Sequence, residues 1–390
     1  VTPSRRAAVR PLREGVANAL APLALAEPCR GRNVRRRHRA LDPVPPIHVF
    51  LLRILHGNTA CAHLPRLTGR SVTAAAPRQA RGRLPLAVLR SVTAALWPAV
   101  DADGLWRAHR TGFVAGTGVS LPDTPPLQRA FGPPTNPAAG CGFPVARALA
   151  LFHAGPGPLQ AFLTAPLRSH EIATVTQPHP DLRAGDVLVG DRAFEAYARP
   201  YFLAQNGLHG VFRVSRRRVV DFTPGRTPPP RWSTRKVSGK ARSRWVRNLG
   251  PTDPVVEWYK PDQRPTWMTA EAYAPRPVTL AVRETRYAVD RPGFRASTVT
   301  PVSTPLDAPA YPAAGPAGLY RQRWQVGTDL AHLKTTPGMG VRRCETEAGV
   351  REELVAFAIA DNLVRAVLLG AGRRQDVPWR GSASWTRRGG

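Results

Sequence analysis

Tyr320, Arg323, Gly327 and Lys334 follow one another at separations of 3, 4 and 7 residues. At 3.6 residues per turn, such positions lie along one face of a helix. A phenol, a guanidinium and an ammonium on one face can hold a phosphodiester backbone. The guanidinium does so with paired donors, the ammonium as a point charge. Taken alone, the segment reads more readily as a helix with some positive charge. Cysteine chemistry offers no competitor. Cys29, Cys61, Cys141 and Cys344 show no CxxC spacing and no neighbouring His that completes a zinc pattern, so they read as reduced thiols. His153 and His332 read as ordinary core or surface residues.

The elements that must position this chemistry can be placed by pattern. Residues 1–46 are rich in Pro and Arg and cluster Arg30, Arg32, Arg35, Arg36, Arg37 and Arg39. They read as a basic, disordered arm, either solvated or resting on phosphates. Residues 47–105 read as helical: a helix, a Gly turn and a basic helix suit a helix-turn-helix reader, and a plain helical bundle suits the pattern as well. From 106 to 214 strands dominate, with Thr111 to Leu121, Val145 to Phe152, Leu159 to Leu163, Asp186 to Gly190 and Gly210 to Val214, and a helix over Glu195 to Gln205. This is the signature of an α/β layer. Residues 215–316 are Pro-rich and basic, with alternating stretches at Thr279 to Val289 and Ser297 to Thr304, and read as an inserted β-rich subdomain. Residues 317–370 hold two helices, Leu319 to Lys334 and Arg351 to Leu369. The polar tail 371–390 reads as disordered.

Composition narrows the function. The formal net charge is +30, from 56 Lys+Arg against 26 Asp+Glu. Lys occurs only at Lys236, Lys240, Lys260 and Lys334, and every other basic residue is Arg. A pI near 11.6 points to a polyanion, most simply nucleic acid. A GC-rich genome would also raise Arg, Ala, Pro and Gly together, but it accounts less well for so few acids. No apolar run reaches the ~18 residues of a membrane span; the longest, Leu354 to Leu369, carries Asp361 and Arg365. No secretory signal opens the chain. It begins at Val1, so an incomplete N-terminus is expected. A cytoplasmic, nucleoid-associated bacterial protein is the expectation.

The segment 320–334 resembles the Y-x2-R-x3-E-x6-K signature of DDE transposases of the insertion-sequence-4 family. The likeness continues through Lys334-Thr-Thr-Pro-Gly-Met-Gly-Val-Arg-Arg-Cys-Glu-Thr346. Val119-Ser-Leu-Pro-Asp-Thr-Pro125, Gly140-Cys-Gly-Phe-Pro-Val-Ala-Arg147, Gly190-Asp-Arg-Ala-Phe194 and Leu55-His-Gly-Asn-Thr-Ala-Cys61 are similar to further landmarks of that family. The resemblance implies an α/β fold with an RNase H-like core: a mixed sheet flanked by helices, an inserted β-rich subdomain and an N-terminal helical, DNA-binding region. It implies two divalent ions, Mg²⁺ or Mn²⁺, held by three acids, which activate a water or a DNA 3′-hydroxyl and stabilise the leaving oxygen. It also implies double-stranded DNA as partner, both element ends and target, engaged by a homodimer.

Carried over residue by residue, the resemblance makes Asp191 the second acid and a metal ligand. Ala115 stands where the first motif has Asp, and Gly327 stands where the third acid is Glu. Neither replacement offers an oxygen ligand. Asp329 lies about 200° round the helix from position 327, and Asp123 belongs to the family's own flank. Tyr320, Arg323 and Lys334 become DNA-phosphate contacts, and Trp267 becomes an aromatic that stacks on a flipped base. The reading is therefore a DNA transposase-family protein with impaired catalysis. The alternatives are an inactive DNA-binding repressor of active relatives and a general nucleic-acid-binding protein.

Overall fold

In the computed structural model, the structure describes residues 44–68, 73, 75–82, 84–95, 106–132, 142–154, 157–166, 182–194, 196–226, 236–237, 240–265, 268–288, 298–305, 307–335 and 338–374. Most of the N-terminal arm, Trp267, Cys29, Cys141 and the tail from 375 lie outside the described residues. The chain divides into two compact units. One comprises Val1–Gly104, Thr117–Arg168 and Thr328–Gly390; the other comprises Leu105–Gly116 and Ser169–Gly327.

The frame is a nine-stranded mixed sheet in the order β3-β2-β1-β4-β5-β13-β10-β9-β8. Strand β1 spans Thr111–Ser120, β4 Val187–Gly190 and β5 His209–Arg213. These three run parallel. Parallel neighbours cannot be joined by a tight turn, so β4 reaches β5 through helix α6, Ala198–Gln205. The expected α/β layer is thus present, with its strands within a few residues of their predicted bounds.

Residues 215–316 contribute more to the main sheet than their composition indicates. Strands β8 (Ser243–Asn248), β9 (Pro254–Tyr259), β10 (Thr279–Glu284) and β13 (Pro301–Ser303) extend it by antiparallel pairing, with β13 returning beside β5. Among the described residues, the short ladders β6 (Lys236–Val237) with β7 (Lys240–Ala241), and β11 (Tyr287–Ala288) with β12 (Thr298–Val299), stand apart from it. Three buried charged groups hold this extension. Arg283 grips Asp253 with paired donors at 2.6 and 2.5 Å, and the indole N–H of Trp258 donates to Glu284 at 2.8 Å.

The other unit is built around a long helix, α10 (Glu347–Arg374). Against it lie β3 (Leu159–Pro166), which forms a hairpin with β2 (Val145–His153), and the helices α1 (Val44–Leu55), α4 (Leu86–Ala95) and α5 (Pro125–Phe131). Short helices α2 (Leu64–Thr68) and α3 (Ala75–Arg81) complete the layer. Helices α1 and α4 both pack on α10. Helix α10 is buried all round from Glu353 to Leu363, which explains why it resembles a weak membrane span in sequence. Its polar residues are paired. Arg365 donates to Asp361 at 2.7 Å, and Asn362 exchanges two bonds with the backbone of Leu159. No helix among the described residues is long and apolar enough to cross a membrane.

Two sequence landmarks meet in this unit. Glu353 has no exposed surface. It accepts from Arg53 at 3.0 Å, from Asn58 at 2.8 Å and from the backbone N–H groups of Arg343 and Cys344 at 3.1 and 3.3 Å. Asn58 also donates to the Val341 carbonyl, and Arg343 donates to that of Asn58. Gly338 (φ +73°) passes so close to Gly57 that a Cβ there would lie 3.2 Å from its Cα. The stretches 55–61 and 338–346 are therefore one polar knot round a buried carboxylate, which also pushes the Cys344 thiol up to about 12, after burial as the main cause. Removing Glu353 would leave the buried Arg53 guanidinium without its counter-charge and the Cys344 N–H without its acceptor. Glu353→Ala is expected to cost about 3–5 kcal/mol, read as a lowered midpoint in urea denaturation with the slope unchanged.

Candidate functional site

The site follows from strand register. Phe113 pairs with Val189 across β1 and β4, and Gly190 pairs with Phe212 across β4 and β5. Carried on to the strand ends, the register sets Ala115, Asp191 and Arg213 in one row. Neighbouring parallel strands lie about 4.8 Å apart, so the three backbone positions adjoin, with Asp191 just past the last residue of β4. Alternation puts Ala115 and Arg213 on the same face as Val189 and Val211. The opposite face carries Val114, Gly190 and Phe212.

That opposite face explains the Gly-Asp-Arg-Ala-Phe landmark. The chain folds back after Asp191 in a 3₁₀ turn, Arg192–Phe194, and buries Phe194 completely. A Cβ at Gly190 would come within 3.0 Å of both Phe194 and Val114. Only Gly lets the ring close over the strand end, and that closure fixes where Asp191 begins.

The sequence spacing predicts one helix from Leu319 to Lys334. The chain instead forms α8 (Ala314–Gln322) and α9 (Trp324–Thr335). At the junction, Arg323 N–H bonds to the Tyr320 carbonyl and Val326 N–H to the Arg323 carbonyl. These are i to i−3 steps, with about 3.0 residues per turn, and they shift the faces of the two helices. Tyr320 is consequently buried, whereas Gly327 and Lys334 are exposed. The expectation that Tyr320, Arg323, Gly327 and Lys334 share one straight face is corrected accordingly. Lys334 lies in the second half of α9, in the other compact unit. Trp267 lies outside the described residues.

Helix α8 rests on β4, β5 and β13 and brings Tyr320 to the face that carries Arg213 and Asp191. Burial raises the pKa of Tyr320. Arg323, which hydrogen-bonds its oxygen, and Arg213 oppose that rise, and Asp191 adds to it. Tyr287 is pushed up to about 12 by burial and by Tyr320, against Arg321, Arg213 and Arg323. Both phenols therefore stay protonated at neutral pH. The Arg323 guanidinium lies 5.5 Å from the Tyr320 ring centroid and 5.6 Å from that of Trp324, and Arg321 lies 5.4 Å from that of Tyr287. The structure thus gathers Asp191, Arg213, Tyr287, Tyr320, Arg321 and Arg323. Arg213, Tyr287 and Arg321 escape sequence reasoning. Arg213 is one arginine among many, and only the β4/β5 register distinguishes it.

By the resemblance, two divalent ions held by three acids would need oxygen donors at 115, 191 and 327. Ala115 and Gly327 supply none. The acids closest in sequence to 115 and 327 have partners of their own. Asp329 accepts from Arg365 at 2.9 Å within its own unit, and Asp123 accepts from Gln128 at 2.8 Å. Among the described residues, no group of three His, Cys, Asp or Glu side chains could hold a metal. The residues present do not fit the two-ion centre.

The transposase DDE domain family matches residues 106–363, about two thirds of the chain. No curated protein matches. Among solved structures, the cryo-EM structure of a piggyBac transposase synaptic complex with hairpin DNA is similar over 92% of this chain and 74% of that one. The identity is 9% and the TM-score 0.39.

A Cβ at Gly327 would meet nothing within 4 Å, so this glycine serves no packing need. Gly327→Ala is expected to stabilise the protein by up to about 1 kcal/mol through helix propensity, seen as a raised melting temperature. An unchanged or lower melting temperature would mean that the glycine is required by the backbone.

Proposed function

This chain belongs to the DDE transposase family, and we propose that it is a DNA-binding member of the insertion-sequence-4 type that has lost metal-dependent strand cleavage. The observation that carries this reading is the row at the strand ends. It sets Ala115 beside Asp191, at the point where the resemblance calls for a second carboxylate. DDE transposase domains generally use divalent metals, and a lone Asp191 is a weak ligand for them. The ordered landmarks from 55 to 346 support the insertion-sequence-4 assignment. In this reading, Asp191 is the surviving acid of the family's centre, while Ala115 and Gly327 mark the lost ones. Tyr320, Arg323 and Lys334 contact DNA phosphates, Trp267 stacks on an extruded base, and the complex on DNA is a homodimer.

The framework of the site supports a regulatory use. Phe194 and Tyr320 are buried at the strand ends, and the chain carries a strong positive charge. A protein that binds element ends without cutting them would occupy those ends and repress active copies. Binding should then show a steep salt dependence and a preference for one terminal sequence. Equal competition by terminal and random duplexes would contradict the regulatory use.

Cleavage decides the main reading. Purified protein with Mg²⁺ or Mn²⁺ and DNA carrying the element's terminal repeats should leave the strands intact. The double variant Ala115→Asp with Gly327→Glu should gain cleavage by orders of magnitude if the remaining site is competent. Efficient cutting by the unaltered chain would refute the loss of catalysis.

A further inference from the structure

We propose that His109, His209 and Tyr311 form an acid-released latch, which fastens the turn before β1 to the segment entering α8 near neutral pH and frees it in mild acid. All three residues belong to one compact unit. The latch is independent of whether cleavage is lost.

The turn is not one that its own residues favour. Trp106 and His109 exchange two backbone hydrogen bonds, at 3.0 and 2.9 Å, around Arg107 and Ala108. Both of these have positive φ, 49° and 67°. Two successive left-handed residues make a tight hairpin turn that suits Asn and Gly. Arg and Ala adopt it at a cost, so outside contacts must hold it. Trp106 is buried and stacks on Tyr311, with centroids 5.6 Å apart. A Cβ on Gly315, in the first turn of α8, would lie 3.4 Å from the Trp106 ring. His109 reaches in two directions, from Nδ1 to the Gly185 carbonyl at 2.5 Å and from Nε2 to the Tyr311 hydroxyl at 2.6 Å.

A carbonyl only accepts, so Nδ1 of His109 carries a hydrogen. Nε2 of the neutral ring then accepts from the Tyr311 O–H. His209 shares a row with Thr111 and Val187 and stands edge-on to His109, with centroids 5.1 Å apart. Burial, and then His109, lowers the pKa of His209. The surrounding elements bring Arg107 and Arg110 from the turn, Arg183 and Asp186 from the approach to β4, Asp307 beside Tyr311, and Arg283 with Asp253 behind the Tyr311 carbonyl. Asp186 is paired with Arg110, and Asp253 with Arg283. The latched His209 ring therefore resists a proton that the released ring accepts. Stability is fully present above the ordinary histidine value of about 6.5 and declines as pH falls through it. A charged His209 would also repel any charge on His109.

Hydrogen–deuterium exchange of the full chain at about pH 7.5 and about pH 5.5 reads the latch. After correction for intrinsic exchange, the amides of residues 106–112 and 311–316 should lose protection several-fold in acid. His209→Gln keeps a polar side chain that takes no proton, and it should retain protection at both values. Tyr311→Phe removes the hydroxyl bonded to His109 and should expose the same amides already at about pH 7.5. His48, whose pKa burial also lowers, stays in every variant, so its effect cancels in the comparison. NMR of ¹³C-labelled histidine should show the His209 ring titrating below the ordinary value. The proposal is overturned if both segments are equally protected at the two pH values, or if His209→Gln loses protection as the unaltered chain does. A His209 ring that titrates at or above the ordinary value overturns it too. The first of these readings needs the unaltered chain alone, so the test stands even if a variant fails to fold.

Discussion

The parallel pairing of β1 with β4 is the constraint on which the site depends. It is pinned at its start by a buried charge. Asp186 accepts from Arg110 Nε at 2.9 Å and from Nη2 at 2.5 Å, and it also receives the Arg183 N–H. His109 Nδ1 donates to the Gly185 carbonyl at 2.5 Å. Side chains alternate along a strand, so a slip of one residue would send every side chain to the wrong face. Arg110 and Asp186 fix the register just before the first ladder pair, Thr111 with Val187. Five residues further on, that register delivers Ala115 beside Asp191. A salt bridge at one edge of the sheet thus decides which side chains meet at the other.

The second unit uses the same device for a different end. Glu353, in the middle of α10, is an anion that cannot be left alone in an apolar interior. Arg53, Asn58 and two backbone N–H groups satisfy it, and in doing so they tie the end of α1 and the loop after α9 to one helix. The motif stretches at 55–61 and 338–346 are explained by this knot. They hold the N-terminal helices in place and need no catalytic role. Asp329, Asp361 and Arg365 form a comparable group, in which both carboxylates accept from Arg365.

Much of this was legible along the chain. The strands near 111, 145, 159, 187 and 210 announce themselves by apolar runs and turn residues. The long C-terminal helix follows from its apolar run, and the DDE resemblance identifies the positions of interest. Strands β8 and β9 are less visible because Trp245 and Trp258 sit among Arg, Asn and Pro, and their pairing is long-range. The break at Arg323 left no mark in spacing, since a 3₁₀ step changes the faces without changing the residues. Arg213 was hidden among many arginines.

The sequence by itself determined the charge, the family, and the absence of carboxylates at 115 and 327, because side-chain identity is a local property of the chain. It also determined that Gly327 could not be a ligand. Only the tertiary structure decided that Ala115, Asp191 and Arg213 share a row, that Tyr320 is buried while Gly327 is exposed, and that Glu353 joins two distant motifs. Those facts depend on register, helix phase and burial. Each is set by pairing between segments far apart in the chain, where a shift of one residue changes the outcome and leaves the composition the same.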